Sequence, residues 1–214
     1  MTAADESGGG LRSALPSRWQ AAVHEAAHAV YARSRSRIVT RVSIEGIVAI
    51  ENGDEIEDRD EDGVRFGVCL YNGGERLDAL SSCVLSLVGP TATHKASPST
   101  PLLPFGDFVA AAEVCHPKSD KADVLRELRQ ADDPEGLYEE ARAAAEAFVE
   151  MHWSEIVKLA GVLMKNTSLD EEDIELVFNP TWPEFHAMLD ELRMAEDRLP
   201  WLIAEHETEE LYEW

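Results

Sequence analysis

A mainly α fold with a small antiparallel β element, an α+β class, is what this sequence predicts, on three observations. Apolar residues recur at helical spacing in three long stretches, around Trp19 to Val30, Leu77 to Val88 and Leu137 to Leu163. Two shorter segments, Ile38 to Ile44 and Val64 to Tyr71, alternate apolar residues with others as strands do. Glycines, prolines and acidic runs separate these stretches. A chain of 214 residues with 44% hydrophobic content is long enough for one sizeable core. The expected organisation is a disordered, Gly-rich head at 1–15, one domain at 16–178, and an acidic helical extension at 179–214.

Taken in order, Ser17 reads as an N-cap and Gln20 as its capping-box partner. Trp19, Val23, Ala26 and Val30 then form an apolar stripe. His24 and His28 fall on the flank of that stripe, so a core-facing helix would offer them to a cleft. Ile38 to Ile44 follows as a strand, Glu51 to Gly63 as a solvated acidic loop, and Val64 to Leu70 as a second strand, together an antiparallel hairpin. Asn72-Gly73-Gly74 marks a turn. The next helix should end at Gly89 as its C-cap. Four prolines between Pro90 and Pro104 argue against long regular structure there. Short helices are expected at Asp107 to Cys115 and Asp120 to Gln130, each opening on an aspartate. Pro134 to Asn166 carries the longest helical pattern, and Ser168 with Glu171 predicts a capping box before Ile174 and Val177.

The net charge of −23 argues against nucleic acid and anionic membrane surfaces as partners, because both need a basic footprint. Cys69, Cys83 and Cys115 are an odd count without paired spacing, which suits a reduced compartment. With neither a charged n-region before an apolar h-region nor a run of 18 apolar residues, the expectation is a cytoplasmic protein.

The chemistry concentrates in Val23-His24-Glu25-Ala26-Ala27-His28-Ala29-Val30, an H-E-x-x-H arrangement. Residues four apart share one helix face, so His24 and His28 can converge on one ion. Zinc accepts neutral imidazole readily, and hydrolytic sites keep one coordination position open for water. Glu25, about 100° round the helix, is placed to take a proton from that water. A third ligand is needed. His94, His116, His152, His186 and His206 lack paired spacing, although His94 and His116 border the expected cleft.

The motif, followed by the strand ending Val42-Ser43-Ile44, resembles the opening of the zinc peptidase domain of FtsH-type proteases. Leu77 to Gly89 and Ala160 to Ile174 resemble the later helices of that domain. Ala27 stands where the family usually has glycine, and the chain has no nucleotide-binding loop, transmembrane helices or ATPase module. The resemblance implies a stand-alone, ATP-independent relative with a zincin-like helical peptidase fold. It also implies an aspartate as the third zinc ligand, at the start of a downstream helix. Asp120 is preferred, Asp107 is the alternative, and Asp123 comes third. The competing use of each is an ordinary helix N-cap.

Two functions follow. The first is a zinc metallopeptidase in which His24, His28 and Asp120 (or Asp107) hold Zn²⁺ and Glu25 activates water against a protein or peptide substrate. A substrate strand could then pair with the edge of the Val64 to Leu70 strand. The second is a peptidase-fold binding or regulatory protein that meets a partner through its acidic C-terminal segment. A purely structural zinc fits less well, because Glu25 has no role in a closed site.

Overall fold

The structure is a computed structural model and describes residues 18–44, 48–51, 54–57, 67–74, 76–98 and 101–178. Its elements run α1 (Arg18–Ser34), β1 (Ile38–Ser43), β2 (Val48–Glu51), β3 (Asp54–Glu57), β4 (Val68–Asn72) and α2 (Ala79–Ala96). They continue with α3 (Phe105–Glu113), α4 (Asp120–Leu128), α5 (Pro134–Met151), α6 (Trp153–Lys165), β5 (Ser168–Asp170) and α7 (Glu171–Phe178). The fold is mainly helical with a small antiparallel sheet, as the periodicities predict. Among the described residues no helix is long and apolar enough to cross a membrane. The head at 1–15, the Ser17 cap and the extension at 179–214 lie outside the described residues.

Six alanines give α1 strong helix propensity and a slim profile, so neighbours can approach closely. It packs against α2, α6, β1 and β4, with Ala22, Val23, Ala26, Ala27 and Ala29 fully buried. The helix is therefore covered on nearly every side, and the flank carrying His28 is closed over by α2 instead of opening freely to a cleft.

The sheet has strand order β4-β1-β5, all antiparallel. A bulge between Val39 and Arg41 resets the alternation of β1, so Val39 and Val42 both face the core although they are three residues apart. Their partners Tyr71, Cys69 and Leu169 share that inner face. The apolar alternation in β4 was misleading: Leu70 points outward, 36% exposed, while Cys69 and Tyr71 pack on the core. The part of this predicted strand before Gly67 lies outside the described residues. The expected acidic loop also contains Asp54–Glu57, which pairs with Val48–Glu51. Asn52-Gly53, the sequence between them, is a preferred two-residue hairpin dipeptide.

Three helix boundaries differ from expectation for physical reasons. Helix α2 does not stop at Gly89 but continues through Pro90 to Ala96, held by packing on α1 and α5 that outweighs the lost backbone hydrogen bond. The long pattern from Pro134 is two helices broken at His152. Its N–H donates to the Phe148 carbonyl at 2.9 Å, and its own carbonyl accepts from Glu155 and Ile156 at 3.1 and 3.0 Å. The break lets α5 pack on α2 while α6 turns onto α1. The cap of α7 is not Ser168 with Glu171, since Ser168 belongs to β5. Asp170 and Asp173 cap reciprocally instead, the Asp173 N–H donating to Asp170 Oδ1 at 3.0 Å and the Asp170 N–H to Asp173 Oδ2 at 3.4 Å.

Candidate metal centre

His24 and His28 leave α1 one turn apart, and the start of α4 meets them from across the core. Asp120 is the first residue of α4, but it is not the cap. Ser119 takes that role, its side chain accepting from the Ala122 N–H at 3.3 Å. The Asp120 carboxylate is thereby left to face the imidazoles. His24 Nε2 and Asp120 Oδ2 are 2.9 Å apart, His24 Nε2 and His28 Nε2 3.1 Å, and His28 Nε2 and Asp120 Oδ2 3.3 Å. Asp107 does not join this group. It stands exposed in the first turn of α3, which begins at Phe105 and not on an aspartate. Asp123 is one turn further along α4, paired with Arg126 at 2.8 Å. Among the described residues, His24, His28 and Asp120 form the single group with metal-ligand geometry, and neither His94 nor His116 belongs to it.

Two neighbours fix the rings. The Nδ1 of His28 lies 2.8 Å from the Leu85 carbonyl, which can only accept, so Nδ1 carries the proton and the Nε2 lone pair points inward. The Nδ1 of His24 lies 3.4 Å from the Thr93 hydroxyl, which donates its own proton to the Gly89 carbonyl at 3.0 Å. Thr93 is therefore an acceptor toward His24, and the second lone pair also points inward. Three electron-rich atoms about 3 Å apart need a cation or shared protons between them.

The donor set fits zinc. Bonds of about 2.0–2.1 Å to imidazole nitrogen and carboxylate oxygen, at tetrahedral angles, place ligand atoms about 3.3 Å apart. Gly89 gives a second test. A Cβ on residue 89 would lie 2.5 Å from His28 Nε2 and 2.7 Å from His24 Nε2, so any side chain there would press on both ligand nitrogens. Two nitrogens and one oxygen would leave one position of a tetrahedrally held ion open.

Glu25 is buried, and burial pushes its carboxyl above the usual carboxylate range, partly opposed by the positive charge of His24 and His28. Gly67 packs against it so closely that any Cβ there would overlap the Glu25 side chain. Without an ion, burial disfavours the charged form of His28, but Asp120 outweighs it and holds the imidazolium up to about pKa 9. Burial likewise opposes ionisation of Asp120, and the two histidines overcome it to hold the carboxyl far below its ordinary range. Cys69, beside the site on β4, has its thiol pushed well up by burial and by the negative Glu25 and Asp120. The neighbours Leu85, Gly89, Thr93 and Gly67 were not identified from sequence. A glycine inside a helical or strand pattern is the signal that another group approaches closely, and Gly67 and Gly89 both carried it.

Compared with protein-family models and with curated proteins, the chain matches none. What the site can do therefore rests on its own residues.

Proposed function

We propose that this protein is a zinc-dependent, ATP-independent metallopeptidase of the cytoplasm, related to the peptidase domain of FtsH-type proteases. The observation that carries this reading is the convergence of His24, His28 and Asp120 beside the buried Glu25. Bound Zn²⁺ would supply Lewis acidity, polarising a peptide carbonyl and acidifying water. The chain's own residues do the rest. His24, His28 and Asp120 hold the ion, while Leu85 and Thr93 keep the imidazoles in the ligating tautomer. Glu25 makes no hydrogen bond among the described residues, so its carboxylate is available to accept a proton from water. Its raised proton affinity suits it to hold that proton and return it to the departing amine. Strand β4 has no strand partner on its outer edge among the described residues, which leaves that edge for an extended peptide.

The test is hydrolysis of unfolded casein and of fluorogenic peptides by zinc-loaded protein and by Glu25→Gln. General-base removal should lower the rate by about 100-fold or more while zinc stays bound. Undiminished activity in Glu25→Gln would refute the assignment. A zinc-loaded protein that cleaves nothing, yet captures a partner through its acidic surface in wild-type and Glu25→Gln forms alike, would instead favour the binding-protein reading.

A further inference from the structure

Residues 114–119 join α3 to α4, and Asp120 follows directly as the first residue of α4. Helix α3 is pinned near its start, where the Tyr138 hydroxyl of α5 donates to the Leu103 carbonyl at 2.6 Å and the Phe108 ring lies 4.7 Å from the Tyr138 ring. Helix α5 in turn packs on α2, whose Leu85 and Thr93 orient the two histidines. Val124, Leu125 and Leu128 hold the body of α4 in the core, but Asp120 precedes the first of them by four residues. The turn that carries the third ligand therefore needs a tie of its own.

That tie is Cys115. Its half-buried thiol donates to the Ala112 carbonyl in the last turn of α3, with Sγ and O 3.0 Å apart, and Sγ also lies 2.9 Å from the Ser119 hydroxyl oxygen. A thiol has one proton. With that proton directed at Ala112, the Ser119 hydroxyl is the donor in the second contact, and its oxygen keeps a lone pair for the Ala122 N–H at 3.3 Å. The hydroxyl is thereby fixed in the orientation that caps α4 and leaves the neighbouring Asp120 carboxylate to the imidazoles. His116 braces the rest of the connection: its carbonyl accepts from the Ser119 N–H at 3.0 Å and its Nδ1 from the Lys118 N–H at 3.3 Å. Such precision matters here. Asp120 Oδ2 lies 2.9 Å from His24 Nε2 and 3.3 Å from His28 Nε2, and a ligand must be held within about 0.5 Å of its productive position.

We propose that Cys115 is a positioning residue of the metal centre: acting through Ser119, it aims Asp120 at the ion. Its effect is confined to the orientation of the third ligand. The inference rests on the reading of His24, His28 and Asp120 as zinc ligands.

The experiment measures zinc affinity of the full chain, by competition with a chromophoric chelator, for Cys115→Val and Cys115→Ser, each with Ser119 intact and with Ser119→Ala. Valine keeps roughly the volume of the thiol and removes both contacts, so Cys115→Val should weaken zinc about tenfold, the lower end of what outer-shell groups contribute. Serine donates and accepts as the thiol does, so Cys115→Ser should bind nearly as wild type. In the Ser119→Ala background Cys115→Val should add no further loss, the non-additivity of residues that act in one network. Wild-type affinity in Cys115→Val, or an equal loss from it in both backgrounds, would overturn the proposal. Should Cys115→Val fail to fold, Cys115→Ala removes the same contacts with less bulk and is read the same way. A wild type that binds no zinc refutes the metal reading separately. Crystals of metal-free wild type and Cys115→Val then decide: Asp120 Oδ2 drawn away from His24 Nε2 in the variant supports the positioning role, and a contact kept at 2.9 Å overturns it.

Discussion

Gly89→Ala adds one methyl group to the middle of a helix, where alanine is ordinarily favoured over glycine by about 1 kcal/mol. Here the methyl would enter 2.5 Å from His28 Nε2, 2.7 Å from His24 Nε2 and 2.8 Å from His24 Cε1. All three distances fall well inside the 3.4 Å at which ordinary van der Waals contact begins. The atoms met are side-chain ends, so the imidazoles can rotate away, and the propensity gain offsets part of the cost to the metal-free fold. The chelated variant should therefore unfold within a few degrees of wild type. The ion has no such escape, because the methyl presses on both ligand nitrogens and the rotation that relieves it turns them away from their shared position. Outer-shell changes alone weaken metal sites about 10- to 100-fold, so loss of two aligned ligands should weaken zinc by at least about 100-fold. Elemental analysis and competition with a chromophoric chelator measure this directly. Gly106→Ala, whose Cβ would meet nothing within 4 Å, is the matched control and should keep wild-type zinc. Wild-type zinc affinity in Gly89→Ala would refute the placement of the ion between the two Nε2 atoms.

Further expectations concern the ligands, the rings and the core. Asp120→Ala should lose zinc while Asp107→Ala keeps it, read as metal per chain after dialysis; the reverse result would return the third ligand to Asp107. Thr93→Val should weaken zinc about tenfold and Thr93→Ser should restore it, since only the hydroxyl orients His24. The folded pKa of His28 is raised above its ordinary 6.5, so its contribution to metal-free stability is complete below pH 6.5 and is lost as pH rises through about 9. Urea midpoints of chelated protein should fall over that window, and the fall should flatten in His28→Gln. Zinc must displace the same proton, so its affinity should rise with pH up to about 9. Leu169→Ala, fully buried where β5 pairs with β1, should cost roughly 2–5 kcal/mol by denaturant unfolding; a cost below about 1 kcal/mol would show that β5 does not anchor the sheet.

The sequence alone determined the helical character, the first strand and the pair of histidines. Each of these depends on local periodicity: Trp19, Val23, Ala26 and Val30 repeat at helical spacing, and a four-residue interval places His24 beside His28 whatever the rest of the chain does. Tertiary structure decided what spans the core. Asp107 and Asp120 are alike in sequence, each an acid near the start of a short helix. Only the packing of α4 against α2 and α3 carries one of them to the imidazoles, while the other is left in solvent. Gly89 followed by proline has the local signature of a helix end, yet α2 continues because α1 and α5 hold both of its sides and two imidazoles occupy the space a side chain would fill. The break at His152 is hidden for the same reason, since the apolar spacing continues across it and only the need to cover both α1 and α2 separates α5 from α6. Local spacing fixes which face of an element is apolar. Which distant group that face meets depends on contacts between residues 57 to 96 positions apart, such as Leu85 on His28 and Asp120 on His24, which no local pattern encodes.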